Sequence, residues 1–199
     1  MKCLFYDAFI VSLGGVLGHS IIESGFFKFL ASLRYVLHGG LIPLLFLICE
    51  EVLKPQNKLW FKIVLSITII FSLLGIIEGF LVKLELVETG VISRYAASDL
   101  TEKWVMKSSN IITILSIIPI IIVGIVIYIK RKIPYLFLGG SSMFIFAALG
   151  GAISKLREYN FFVSMIGEVS MSLFYYIYIL NDNDQEEEEK AIEPKKVDV

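Results

Sequence analysis

Apolar residues in this chain gather in long runs separated by short polar segments. The runs cover residues 4–22, 31–49, 61–82, 111–129, 135–152 and 161–180. Each is close to the ~20 residues that a helix rising 1.5 Å per residue needs to cross a hydrocarbon core about 30 Å thick. The expected fold is therefore all-α: a polytopic membrane helix bundle of six transmembrane helices, with residues 1–180 forming one membrane domain. Two runs are imperfect, because Asp7 interrupts the first and the fifth is rich in glycine and serine. If one of these does not insert, the count falls to five.

The polar segments suggest an orientation. The connections beginning at Lys54 (KPQNK) and Lys130 (KRK) are short and basic, whereas residues 83–110 form a longer loop of mixed charge. Short basic loops stay cytoplasmic. This places both termini inside a cell membrane and the long loop outside it. Tyr95 and Trp104, aromatic residues among charges, put part of that loop at the membrane interface. The tail, residues 181–199, contains the run Glu186, Glu187, Glu188, Glu189 and few apolar residues, so it is expected to be disordered. Lys2 precedes an apolar stretch as in a signal peptide. Asp7 interrupts that stretch and no small-residue cleavage site follows, so the segment reads as a retained anchor.

Composition supports lipid as the solvent. The chain is 56% hydrophobic with a mean hydropathy of +0.77, too apolar for a soluble globule with a polar surface. Its 18 basic and 19 acidic residues leave a net charge of -1, which argues against a nucleic-acid partner because phosphate binding needs a concentrated basic surface. The implied partners are the bilayer, further copies of the chain, or subunits of a membrane complex. Cys3 and Cys49 offer neither a disulfide framework nor metal-ligand spacing. Haem-attachment, Walker and Rossmann motifs are absent from the sequence.

Ionisable residues inside the runs carry the functional information. A charge at the bilayer centre costs about 3 kcal/mol on insertion scales, so each needs a partner, a wet cavity or an escape to the interface. Besides Asp7, these residues are His19, Arg34, His38, Glu78 and Glu168. Successive spans alternate in direction, so all five fall in the half of the bilayer nearest the long loop, roughly 4 to 12 Å deep at 1.5 Å per residue. Arg34 and His38 are four apart and share a helix face bordered by Tyr35. His19 follows GGVLG (14–18) and Glu78 lies within GIIEG (75–79), both GxxxG patterns that let helix backbones approach closely. Glu50, Glu51, Lys54 and Lys58 sit at a helix end and read as a solvated cap.

Several functions fit such a cluster. The leading expectation is a small-solute or proton-coupled transporter, since imidazoles and buried carboxylates can exchange protons near neutral pH. Shifting the chain by one hundred positions aligns Tyr35, Gly39, Gly40 and Phe46 with Tyr135, Gly139, Gly140 and Phe146, a weak hint of the inverted halves found in carriers. A second reading is a b-type haem with His19 and His38 as axial ligands; otherwise no cofactor is expected. A third makes the chain a structural or accessory subunit whose polar cluster sets helix register. An enzyme is disfavoured. Ser141 and Ser142 have no later histidine to serve as base, and Glu50 and Glu51 lack the downstream histidines of a glutamate-dependent membrane hydrolase.

Overall fold

A computed structural model describes residues 2–17, 19–55, 57–89, 92–152 and 159–192. The chain forms helices α1 (Lys2–Val16), α2 (His19–Ile22), α3 (Gly25–Leu41), α4 (Leu45–Leu53) and α5 (Lys58–Leu81). A hairpin of β1 (Leu84–Thr89) and β2 (Ile92–Ala97) follows, then α6 (Lys103–Arg131), α7 (Tyr135–Ala152) and α8 (Asn160–Ile192). With 82% of the structure helical, the fold is the expected membrane helix bundle.

Four helices are long and apolar enough to cross a bilayer: Gly25–Leu53 (α3 and α4 together), α5, α6 and the Phe161–Asp182 portion of α8. The apolar α7 is shorter. Large apolar side chains at mid-helix positions point outward, with Leu73, Ile122 and Leu173 each more than half exposed. In water this would be an aggregation surface; in lipid it is the solvated one.

The first expected span differs from its sequence reading. Helix α1 has 15 residues, short of the ~20 required to span, and α2 is a separate single turn. The Tyr6 hydroxyl donates to the Leu30 carbonyl at 2.9 Å. The start of α1 therefore stands beside the second turn of α3 rather than beside α4. Gly14 and Gly15 weaken this helix and bring it against the hairpin: a Cβ on Gly14 would collide with the Ser93 carbonyl.

Local chemistry sets the other boundaries. Ser24 caps α3, its Oγ accepting from the Phe27 N–H at 3.2 Å, and Asn57 caps α5 by accepting from the Leu59 N–H at 2.9 Å. Lys54 and Lys132 adopt left-handed conformations, with φ of 43° and 61°, and end α4 and α6 in tight basic turns at one end of the bundle. Pro43 cannot donate a backbone hydrogen bond, and the chain tightens into a single 3-10 turn at Ile42–Leu44 before continuing as α4. Helix α8 runs on through the acidic segment to Ile192. A helix already nucleated in the membrane propagates without a new nucleation cost, and Gln, Glu, Lys and Ala are good helix formers. Residues 193–199 lie outside the described residues.

Close backbone approach organises the bundle. Gly75 and Gly79 of α5 pack on the backbone of α3 at Gly39 and Val36. Gly139 of α7 meets Met171 of α8, Gly167 of α8 meets Met143 of α7, and Gly124 of α6 meets Phe137 of α7. One buried cluster, including Cys49, Ile120, Val123, Leu136 and Tyr178, fills the end of the bundle near the basic turns. A second, of Ile10, Ile22, Phe27, Ala31 and Tyr95, joins α1, α2, α3 and the hairpin at the other end.

Candidate functional site

The hairpin builds the site because it carries different chemistry on its two faces. Its antiparallel register pairs Leu86 with Tyr95 and Val87 with Arg94. Successive side chains of a strand point to opposite faces. Tyr95 is buried against α1 and α3, its ring centroid 6.3 Å from that of Phe27, with Leu84 and Leu86 packed beside it. Arg94 therefore turns the other way, into the bundle. The base of the hairpin is tied down: the Ser98 N–H donates to the Lys83 carbonyl at 2.8 Å and the Thr101 hydroxyl to the same carbonyl at 3.2 Å. The Ser98 hydroxyl also donates to the Glu85 carboxylate at 2.6 Å.

Beneath Arg94 is a cavity of about 510 Å³. Arg34, Tyr35 and His38 line it from α3, Ser109, Asn110 and Thr113 from α6, and Phe161, Ser164 and Glu168 from α8. Met143 and Ala147 of α7 complete the wall. Arg34 is 6% exposed and Glu168 is 8% exposed. The two guanidinium groups share an aromatic ring: the Cζ of Arg34 lies 5.0 Å from the Phe161 centroid and that of Arg94 4.5 Å from it. Arg34 also stacks 4.8 Å from the Tyr35 ring and donates to the Tyr35 hydroxyl at 3.1 Å. Such cation–π contacts are worth about 2 kcal/mol when desolvated, which offsets part of the cost of holding a cation at this depth.

Three of the five sequence-predicted site residues, Arg34, His38 and Glu168, line this one cavity. Glu78 is also interior, at 4% exposure, and lies one helical turn from Val82, which does line the cavity. Glu78 itself is packed along the α3–α5 contact between Gly75 and Gly79 rather than in the lining. His19 opens α2; its side chain and that of Asp7, and with them the expected haem pairing of His19 with His38, lie outside the described residues. Among the described residues there is no grouping of His, Cys, Asp and Glu able to hold a metal ion. Ser142 donates to the Gly139 carbonyl at 2.8 Å, the backbone role expected of a serine in a membrane helix.

Two contributions escaped the sequence reading. Arg94 lies in what reads as an external loop, and Ser109 and Asn110 lie before the expected start of their span. The signal for the first was present: LELVET and ISRYAA are rich in strand-forming residues and flank Gly90. For the second, α6 begins at Lys103, so two further turns, which include Ser109 and Asn110, precede its expected apolar run. A second cavity, of about 250 Å³, lies near the basic turns between α4, α6, α7 and α8. Apart from Ser172 and Tyr175 its lining is apolar, so the polar chemistry concentrates at the hairpin end. Comparisons with protein-family models, with curated proteins and with solved structures give no match.

Proposed function

We propose that this multi-pass membrane protein is a small-solute carrier coupled to proton movement, with the Arg34–Arg94–Glu168 cavity as its solute site. The observation that carries the reading is the convergence of four ionisable side chains, from α3, β2 and α8, on a cavity of about 510 Å³. That volume is within the range of roughly 300–1,000 Å³ typical of small-molecule sites. A cluster serving only to register helices gains nothing from an open cavity, because unfilled volume costs stability. Glu168 is the proton-carrying group in this reading and His38 its neighbour in the lining. We place the basic turns at Lys54 and Lys132 on the cytoplasmic side of a cell membrane. The acidic end of α8 lies with them, since Arg131 pairs with Asp182.

The test is proton flux in proteoliposomes loaded with a pH-sensitive dye, challenged with a panel of amino acids, carboxylates, sugars and amines. Wild type should give solute-dependent pH changes. Glu168→Gln should abolish them, with its elution profile and insertion unchanged. Absence of coupled flux for the whole panel, or a Gln variant as active as wild type, sinks the carrier reading. The contacts of Arg34 and Arg94 with Phe161 favour a second reading, a structural or accessory subunit. In that case Glu168→Gln lowers thermal stability with no flux to lose.

A further inference from the structure

We infer that the two cavities are the ends of one path through the bundle. The layer between them, built by Ile117 and Ile120 of α6, Met143 of α7 and Met171 of α8, is its gate, opened by bending of α6 at Pro119. The inference rests on the carrier reading, which it supplies with a route. Helices α6, α7 and α8 line both cavities, and each leaves one and enters the other within a single turn. On α6 the hairpin-end lining stops at Ile117 and the basic-end lining begins at Ile120. On α7 the corresponding residues are Met143 and Gly140, and on α8 they are Glu168 and Met171. Each step is about 4.5 Å along the helix at 1.5 Å per residue. Helices α6 and α8 run from the hairpin end to the basic end and α7 runs back, so the order along all three agrees and the cavities are stacked along the bundle. Two unrelated hollows have no reason to share three walls in the same order; two halves of a path do.

Apolar packing closes the layer. Ile117 and Ile120 are each 2% exposed and Met143 is 6% exposed. A Cβ on Gly140 would lie 3.0 Å from the Ile120 side chain, one on Gly139 would meet the Met171 backbone and one on Gly167 the Met143 backbone. All three helices therefore meet here at close range. An apolar constriction closes a path by excluding water, and unbranched methionines move aside at low cost. Helix α6 has its weak point at the same level. Pro119 stands between Ile117 and Ile120 and has no N–H to give the Leu115 carbonyl. Just before it, the Ser116 hydroxyl donates to the Ile112 carbonyl at 2.8 Å, a bond of the kind that bends helices. Bending at Pro119 moves Ile120 off Gly140 and joins the two cavities.

The experiment reads the accessibility of two near-isosteric cysteines in the full chain lacking Cys3 and Cys49: Ser164→Cys in the hairpin-end cavity and Ser172→Cys in the basic-end one. A small, charged, membrane-impermeant methanethiosulfonate is added outside intact cells, and Leu100→Cys and Lys132→Cys report which end faces it. The cysteine in the cavity facing the reagent should label quickly and the far one slowly. Met143→Ser, which wets the gate, and Met171→Ala, which thins it, should each speed labelling of the far cysteine about tenfold or more. Met143→Leu keeps volume and apolarity and should leave the rate unchanged. So should Leu173→Ala, on the lipid-exposed face of α8. Pro119→Ala restores a backbone hydrogen bond and should slow far-side labelling about fivefold. If Met143→Ser does not fold, Met171→Ala carries the same test. Wild-type rates in the gate variants, or acceleration by Leu173→Ala as large as theirs, overturns the path. An unchanged or faster rate in Pro119→Ala overturns the hinge. Gate-dependent labelling without proton-coupled flux would reject the carrier reading and leave a gated pore. Coupled flux with labelling untouched by the gate variants would reject the path alone.

Discussion

Position 79 illustrates how much a single hydrogen atom decides. A Cβ there would lie 2.5 Å from the Val36 Cα, and the obstacle is backbone, which cannot rotate away. Gly79→Val should therefore separate α5 from α3 and destabilise the protein by about 1–3 kcal/mol, the usual range for overpacking. Gly25→Ala is the control, since nothing lies within 4 Å of its would-be Cβ. Thermal unfolding in nanodiscs checks both, and an unchanged midpoint for Gly79→Val would show that the contact yields without cost. At this scale the sequence was informative. GxxxG spacing identified Gly75 and Gly79 as sites of close approach and so identified Glu78 as interior. It could not say what Gly14 would meet, because the partner is a strand nearly eighty residues away.

The hairpin shows the limit of local reading for whole elements. Hydropathy averaged over about 19 residues finds membrane spans, and the same averaging erases two six-residue strands whose signal is a period of two. Tyr95 holds this element. Tyr95→Ala should cost about 3 kcal/mol, as for other large buried aromatics, and should also misplace Arg94 on the opposite face. The expected signs are a lowered unfolding midpoint and faster tryptic cleavage after Arg94, with Tyr95→Phe close to wild type on both. Cleavage as slow as in wild type would show that the backbone pairing alone fixes the hairpin. The extension of α8 has a different cause. Residues 181–192 continue the helix that begins at Asn160, and such propagation needs no new nucleus.

Among the described residues the bundle carries apolar side chains on its outward face and, at the hairpin end, a cavity lined by Arg34, His38, Arg94 and Glu168. Its two ends differ in charge and structure: basic turns at Lys54 and Lys132, the hairpin and Leu100 at the other. In a background lacking Cys3 and Cys49, Lys132→Cys and Leu100→Cys should label from opposite sides of intact cells, with Leu100→Cys reactive to an impermeant maleimide from outside. Labelling of both from one side would refute the bundle as a membrane-crossing unit, and the reverse pattern would invert the proposed orientation. The sequence by itself determined the solvent, the helical class and the basic turns, and it singled out Arg34, His38, Glu78 and Glu168 as ionisable residues within the apolar runs. These follow from run length, rise per residue and the cost of charge in hydrocarbon, all of them local or additive. Only the tertiary structure decided that α1 stops short of a full span, that Glu78 stays in a helix contact while Arg34, His38 and Glu168 share a cavity, and that Arg94 joins them. Those outcomes depend on which backbones can approach and which strands pair, and such contacts connect residues too distant in sequence for a local pattern to record.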